Sequence, residues 1–185
     1  PAVDGLQDED GCYARAAAYV RCARADGVVR AECFFDPQAH TSRGIEIDTV
    51  IRGYHRAVVE ARETGLSADL ILCFLRDMSA ESALETLQSA LPYKHMFIGV
   101  GLDSDERDNP PTKFARVFEL AREAGLHVTM HCDLHQVGPI NNIRAALTDL
   151  SAQRLDHGAN LVEAPSPVDH AQDHRLGPHS FPPSN

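Results

Sequence analysis

The sequence is short of positive charge: 17 Lys and Arg stand against 27 Asp and Glu, a formal charge of -10 with histidine neutral. Such a chain repels phosphate backbones and anionic membrane surfaces, so the expected partners include no nucleic acid and no membrane. No apolar run approaches the ~20 residues that a membrane helix requires. The opening Pro1-Ala2-Val3-Asp4-Gly5 has neither the basic nor the apolar part of a secretion signal, and the expected compartment is the cytoplasm. Cysteine is sparse as well. Cys12, Cys22, Cys33, Cys73 and Cys132 are odd in number and widely spaced, which predicts reduced core thiols and no disulfide framework.

What is present is a globular composition, 43% hydrophobic and 24% charged over 185 residues, enough for a packed core in one domain and marginal for two. Tyr13, Ala16, Ala17, Val20 and Ala23 fall at helical spacing, with Gly27 as a stop. Val28 to Phe35 reads as a strand closed by Asp36-Pro37, and Ile47, Val50, Ile51, Tyr54, Val58 and Ala61 mark a second helix. Leu70 to Leu75 is a continuous apolar run, the mark of a parallel strand covered on both faces. Ser79 caps a helix carrying Ala83, Leu84, Leu87 and Leu91, which Pro92 stops. Further strands are expected at Phe97 to Leu102, His127 to Met130 and around Arg154-Leu155, separated by helices over Phe114 to Ala121 and about Ile140 to Leu150. Five strands alternating with helices predict an α/β fold with a parallel sheet. Residues 165–185 hold five of the 11 prolines together with His170, His174 and His179, and are expected to be an irregular or disordered tail after a folded 1–164 domain.

Polar residues collect at one place in this pattern. Asp36, Arg76 and Asp77, Asp103, His131 and Asp133, and Asp156 and His157 all close or follow strands, and the carboxyl ends of strands are where α/β folds build sites. No Gly-x-Gly-x-x-Gly follows a strand, because Gly99-Val100-Gly101 lies inside one, so a nucleotide phosphate finds no cradle. Strand alternation sends His131 and Asp133 to one side and Cys132 to the other. That suits a metal ligand beside a carboxylate, although a lone histidine at a strand end is more often a hydrogen-bonded structural residue. His157 on the next strand, ~4.8 Å away if the two are neighbours, shifts the reading toward a metal-assisted hydrolase, with His135 a weaker member of the cluster. A catalytic zinc takes three protein ligands and a water. The chain has no His-x-His, no Cys-x-x-Cys and no His-x-Glu with Pro-Cys-x-x-Cys, so its visible motifs do not complete such a site.

Five ordered blocks then carry a resemblance: Phe34 to Gly44 with its Asp36-Pro37-Gln38-Ala39-His40, Phe74-Leu75-Arg76-Asp77-Met78-Ser79, Gly99 to Ser104, Asn109 to Phe114, and Arg154-Leu155-Asp156-His157-Gly158. Together they resemble the adenosine/adenine deaminase family of the metal-dependent amidohydrolases, and the first and third blocks resemble its adenine deaminases. The resemblance implies a (β/α)8 TIM barrel with one divalent metal, usually Zn2+, that hydrolyses the exocyclic amine of a purine to a carbonyl and ammonia. It implies His131 as a metal ligand, His157 as the group that orients and activates the attacking water, and Asp103 or Ser104 as contacts to a small-molecule purine.

The same resemblance implies absences. The family's His-x-His strand would precede Pro1, and its seventh and eighth strands, the latter with Asp-Asp, would follow the proline-rich tail. The chain is therefore expected to be a partial barrel covering strands two to six. The family's general acid, a Glu three residues after the metal histidine, is Leu134 here, which leaves Asp133 as the candidate for proton transfer. The expected function is zinc-dependent deamination, adenine to hypoxanthine, in purine salvage for the parent enzyme, with the chain inactive alone. The alternative is a non-catalytic α/β binding or oligomerisation module. Exposed sheet edges predict self-association in either case.

Overall fold

The computed structural model describes residues 8–132, 139–157 and 177–179. The fold is α/β, strands and helices alternating as their periodicities require. The chain divides into two units, Pro1–Cys73 with Thr86–Ile98, and Phe74–Glu85 with Gly99–Asn185.

In the first unit, α1 (Glu9–Ala25) starts at Asp8, whose side chain accepts a 2.7 Å hydrogen bond from Gly11 N. Its buried stripe is Cys12, Ala16, Ala17, Val20 and Ala23. Small residues let α3 (Ile47–Glu63) lie close to it, and Gly53 sets the approach: a Cβ there would stand 2.6 Å from both Cys12 Cβ and Glu9 O. β1 (Arg30–Phe35) pairs in parallel with β2 (Ser67–Leu75), Arg30 opposite Ser67 and Phe35 opposite Leu72. β2 starts three residues before the apolar run. Asp69 is held there by ion pairs with Arg30 and Arg62, so its charge does not interrupt the ladder. Val28 and Val29 fall before β1, and Val29 is 76% exposed. A single turn of helix, α2 (Gln38–Thr41), follows β1 and the Asp36-Pro37 that closes it. Pro37 precedes it at φ -56°, already helical.

The second unit takes the end of β2 and the first part of α4 (Ala80–Ala90), which the Ser79 hydroxyl caps by accepting from Ser82 N at 3.1 Å. Next come β3 (Gly99–Asp103), α5 (Ala115–Glu123), β4 (His127–Cys132), α6 (Pro139–Thr148) and β5 (Arg154–His157). β3, β4 and β5 are parallel neighbours in chain order. Gly99 lies so close to β4 that a Cβ would stand 2.8 Å from His127 O. Phe74 and Phe118 pack edge to face with ring centres 6.0 Å apart.

Inside the segment expected to be irregular, Gly177–His179 forms a sixth short strand, β6, parallel to β5 with Asp156 opposite His179. Nothing in Gly-Pro-His favours a strand, so pairing with β5 makes it one; Pro178 is tolerated because such a strand can sit at a sheet edge. The expectations for Asp133, Leu134, His135, His170, His174 and the boundary at 164 lie outside the described residues. All five cysteines are free thiols; Cys12, Cys73 and Cys132 are buried and Cys33 half-buried. Cys22 departs from the expected core thiols, being exposed on the outer face of α1. Among the described residues no helix is long and apolar enough to cross a membrane.

Candidate active site

The carboxyl ends of β3, β4 and β5 assemble the site in the second unit. Parallel register sets His131 opposite Asp156 and Cys132 opposite His157. Alternation along β4 buries Met130 and Cys132 and leaves the His131 side chain 29% exposed. His157, the last residue of β5, has φ 65°, a left-handed backbone that L-residues adopt at a cost of ~1–2 kcal/mol. The two imidazoles meet edge to face, ring centres 4.4 Å apart. The structure thus brings together the two histidines that the sequence singled out. A strained conformation at the residue that completes the pair is where functional constraint commonly shows itself.

Behind His131 lies an acid the sequence reading did not select. Glu106, 5% exposed, places Oε1 2.9 Å from His131 Nδ1. Arg76, 1% exposed, follows β2 and reaches the same oxygen with Nη1 at 3.4 Å. Its Nη1 also donates to His131 O at 3.0 Å, and its Nε and Nη2 donate to Asn109 O at 3.0 and 2.8 Å. Burial lowers the Arg76 pKa, and the neighbouring Glu106 carboxylate works against that shift. Lys113 closes the arrangement by donating to Arg76 O at 3.1 Å and Asn109 Oδ1 at 2.8 Å. Glu106 sits in the acidic run Asp103-Ser104-Asp105-Glu106-Arg107-Asp108. Nothing in the run's composition marks which acid turns inward; its only signal is position between two of the family-like blocks.

The remaining candidates divide. Asp103 is half-buried at the end of β3, with its backbone O accepting from Arg76 N at 3.0 Å. Ser104 is exposed and, with φ 76°, is a second left-handed residue. Asp156 is buried and accepts from Thr129 Oγ1 at 2.9 Å, a structural role on the strand that carries His157. Cys132, on the opposite side of β4 from His131, has its thiol pKa pushed up to about 12, first by burial and then by Glu106. It is no nucleophile near neutrality. The first unit holds a separate concavity of about 580 Å³, lined among others by Arg15 and Tyr19 of α1, Glu32 and Asp36 at β1, and His40 and Tyr54. Burial pushes the Tyr54 phenol up to about 12.

The described residues fit a metal ion in part. His131 is a histidine whose one ring nitrogen is tied to a buried carboxylate, the arrangement that orients metal-ligating histidines, and His157 adjoins it. A catalytic zinc takes three protein ligands, so this cluster supplies a portion of a set.

Known proteins resemble this chain over most of its length. The family model described as adenosine deaminase matches residues 2–185. An adenine deaminase from Cupriavidus necator is 47% identical over 181 residues, covering 97% of this chain and 51% of that protein. The crystal structure of an adenine deaminase from Arthrobacter aurescens superposes with a TM-score of 0.87 at 39% identity, over 94% of this chain and 53% of that one. An amidohydrolase from Burkholderia ambifaria, crystallised with bound zinc, gives 0.80 at 28% identity over 93% and 49%. The fold is accordingly part of a (β/α)8 barrel, and the chain spans about half the length of the curated relatives it matches.

Proposed function

Because this chain belongs to the adenosine deaminase family, we propose that it forms the middle of a zinc-dependent purine deaminase acting on adenine. Water adds at the ring carbon bearing the exocyclic amine, the carbon–nitrogen bond breaks, and hypoxanthine and ammonia leave. Cytoplasmic purine salvage is the setting in which such a product is used. The observation that carries the reading is the pairing of His131 and His157 at the ends of adjacent strands, with Glu106 behind His131.

In this reading His131 would hold the zinc ion through the ring nitrogen that does not face Glu106. A bound zinc ion lowers the pKa of its water toward ~7 and so makes a nucleophile available at neutral pH. His157 orients that water through its imidazole and takes its proton at a ring nitrogen. Asp103 and Ser104 line the purine edge, Ser104 through its hydroxyl or through the backbone that its left-handed φ turns. Asp133 is the proposed proton carrier to the departing amine. The cluster of His131, His157 and Glu106 supplies a portion of a zinc ligand set, so the 185-residue chain by itself is expected to turn over little or no substrate and to bind zinc weakly.

A chimaera tests the reading. This segment replaces its counterpart in the Cupriavidus adenine deaminase, and adenine, adenosine and an N6-substituted adenine are offered in turn. Adenine should yield hypoxanthine, and His131→Ala in the chimaera should abolish both turnover and stoichiometric zinc. A folded chimaera that deaminates adenosine and leaves adenine untouched would overturn the substrate assignment.

A further inference from the structure

The geometry points to Glu106, held by Arg76, as the positioning residue that locks His131 in the Nδ1–H tautomer and presents Nε2 for metal binding. An ionised carboxylate can only accept a hydrogen bond. With Glu106 Oε1 2.9 Å from His131 Nδ1, the proton of the neutral ring therefore resides on Nδ1. Free imidazole side chains favour the opposite tautomer, so the protein is selecting the less common form. Which nitrogen remains available is set by the hydrogen bond that the other one makes.

Arg76 makes the selection firm in two ways. Its Nη1 lies 3.4 Å from the Glu106 oxygen that faces the ring, supplying the opposite charge that a buried carboxylate needs. The same Nη1 donates to His131 O at 3.0 Å, so one guanidinium fixes both the backbone of His131 and the carboxylate against its ring. Arg76 is itself anchored by two bonds to Asn109 O. Strand end, loop and side chain thus form one unit whose output is the direction of a single lone pair.

The metal-binding purpose rests on the proposed function; the tautomer does not, and it can be measured with no metal present. The chain is 20.2 kDa, small enough for long-range proton–nitrogen correlation spectra on 15N-histidine protein at a pH where the imidazoles are neutral. His131 should show a pyrrole-type Nδ1 and a pyridine-type Nε2, its resonances assigned by loss in His131→Gln. In Glu106→Ala the major form should switch to Nε2–H while the other histidines keep their patterns, and Arg76→Lys should give a mixture. Zinc titrated into the same samples should bind the Glu106 variant ~10–100-fold more weakly.

A wild-type spectrum with the proton on Nε2 would overturn the inference without any variant having to fold. So would a folded Glu106→Ala protein whose His131 tautomer is unchanged. If the tautomer is as stated and switches in Glu106→Ala, but the two proteins bind zinc equally, the positioning stands and the proposed metal site is what fails.

Discussion

Arg76→Met removes a guanidinium that is 1% exposed from between Glu106, 5% exposed, and the carbonyls of Asn109 and His131. Methionine fills much of the volume, so the loss is mainly electrostatic. Breaking one partner out of a buried ion pair destabilises by ~3–5 kcal/mol, because a charge stays behind. The Arg76–Glu106 separation of 3.4 Å is longer than the ~2.7–2.9 Å of a strong charge-assisted bond, so the lower end of that range applies. Two carbonyls that lose a buried donor add ~1 kcal/mol each. The expected total is ~5 kcal/mol, a large share of the roughly 5–15 kcal/mol by which domains are stable. Glu106→Gln keeps shape and removes the charge, and should cost less than half as much, since the bonds of Arg76 to Asn109 O and His131 O survive. The double variant should be more stable than the sum of the two losses predicts, by ~1–2 kcal/mol, because it leaves no unbalanced charge. Urea unfolding of the four proteins at constant slope measures this cycle. Arg76→Lys, which keeps the charge but cannot hold three acceptors in one plane, serves if Arg76→Met is too unstable to titrate. Losses that add to within ~0.5 kcal/mol would refute the claim that the two residues act as one element.

Gly53→Ala should destabilise despite its gain of ~1 kcal/mol in helix propensity. The new Cβ would sit 2.6 Å from Cys12 Cβ and Glu9 O and force α1 away; a net loss of ~1–2 kcal/mol is expected from overpacking, and a raised melting temperature would contradict the close-approach argument. Ser104→Gly relieves a φ of 76° and should stabilise by a few tenths to ~1 kcal/mol; if the chimaera then keeps its adenine KM, Ser104 acts through its backbone and not its hydroxyl. Cys132 and Tyr54 have folded-state pKa values pushed up to about 12, from 9.0 and 10.0, so their protonated forms are favoured by folding. Stability should be unaffected by these groups below pH 9 and fall as pH rises from about 9 toward about 12, visible as a dropping urea midpoint; a flat midpoint across that window would count against their burial. A thiol reagent at pH 8 should label Cys22 quickly and Cys12, Cys73 and Cys132 only on unfolding. Among the described residues of the first unit β1 pairs with β2 on one side, and Val29 and Phe34 are exposed at and beside it, so self-association should rise with concentration on sizing and weaken in Val29→Lys.

The alternation of strand and helix was legible because each element is locally consistent. Leu70 to Leu75 could be little else than a buried strand, and Ser79 and Pro92 bracket α4 with the chemistry its ends require. Boundaries moved where a tertiary partner overrode a local preference. Ser67-Ala68-Asp69 joined β2 because Arg30 and Arg62 balance Asp69, and Gly177–His179 became a strand because β5 offers a ladder. Neither Arg30 nor β5 lies near in sequence to the segment it rescues.

The site divides along the same line. His131 and His157 could be read from sequence because strand ends are recognisable and parallel neighbours must bring them together. Glu106 could not, because its importance is a consequence of burial: it is the acid of this run that lies 3.4 Å from Arg76 Nη1 and 2.9 Å from His131 Nδ1. Its neighbour Asp105 pairs with exposed Arg107 and stays outside, its pKa lowered chiefly by the hydrogen bond to that arginine. Two carboxylates of the same run, one residue apart, are thus sent to opposite environments by a single turn after β3, the turn that begins at the left-handed Ser104. A backbone that only a few residue types accept is spent there, and what it achieves is to put one carboxylate, not its neighbours, behind the histidine.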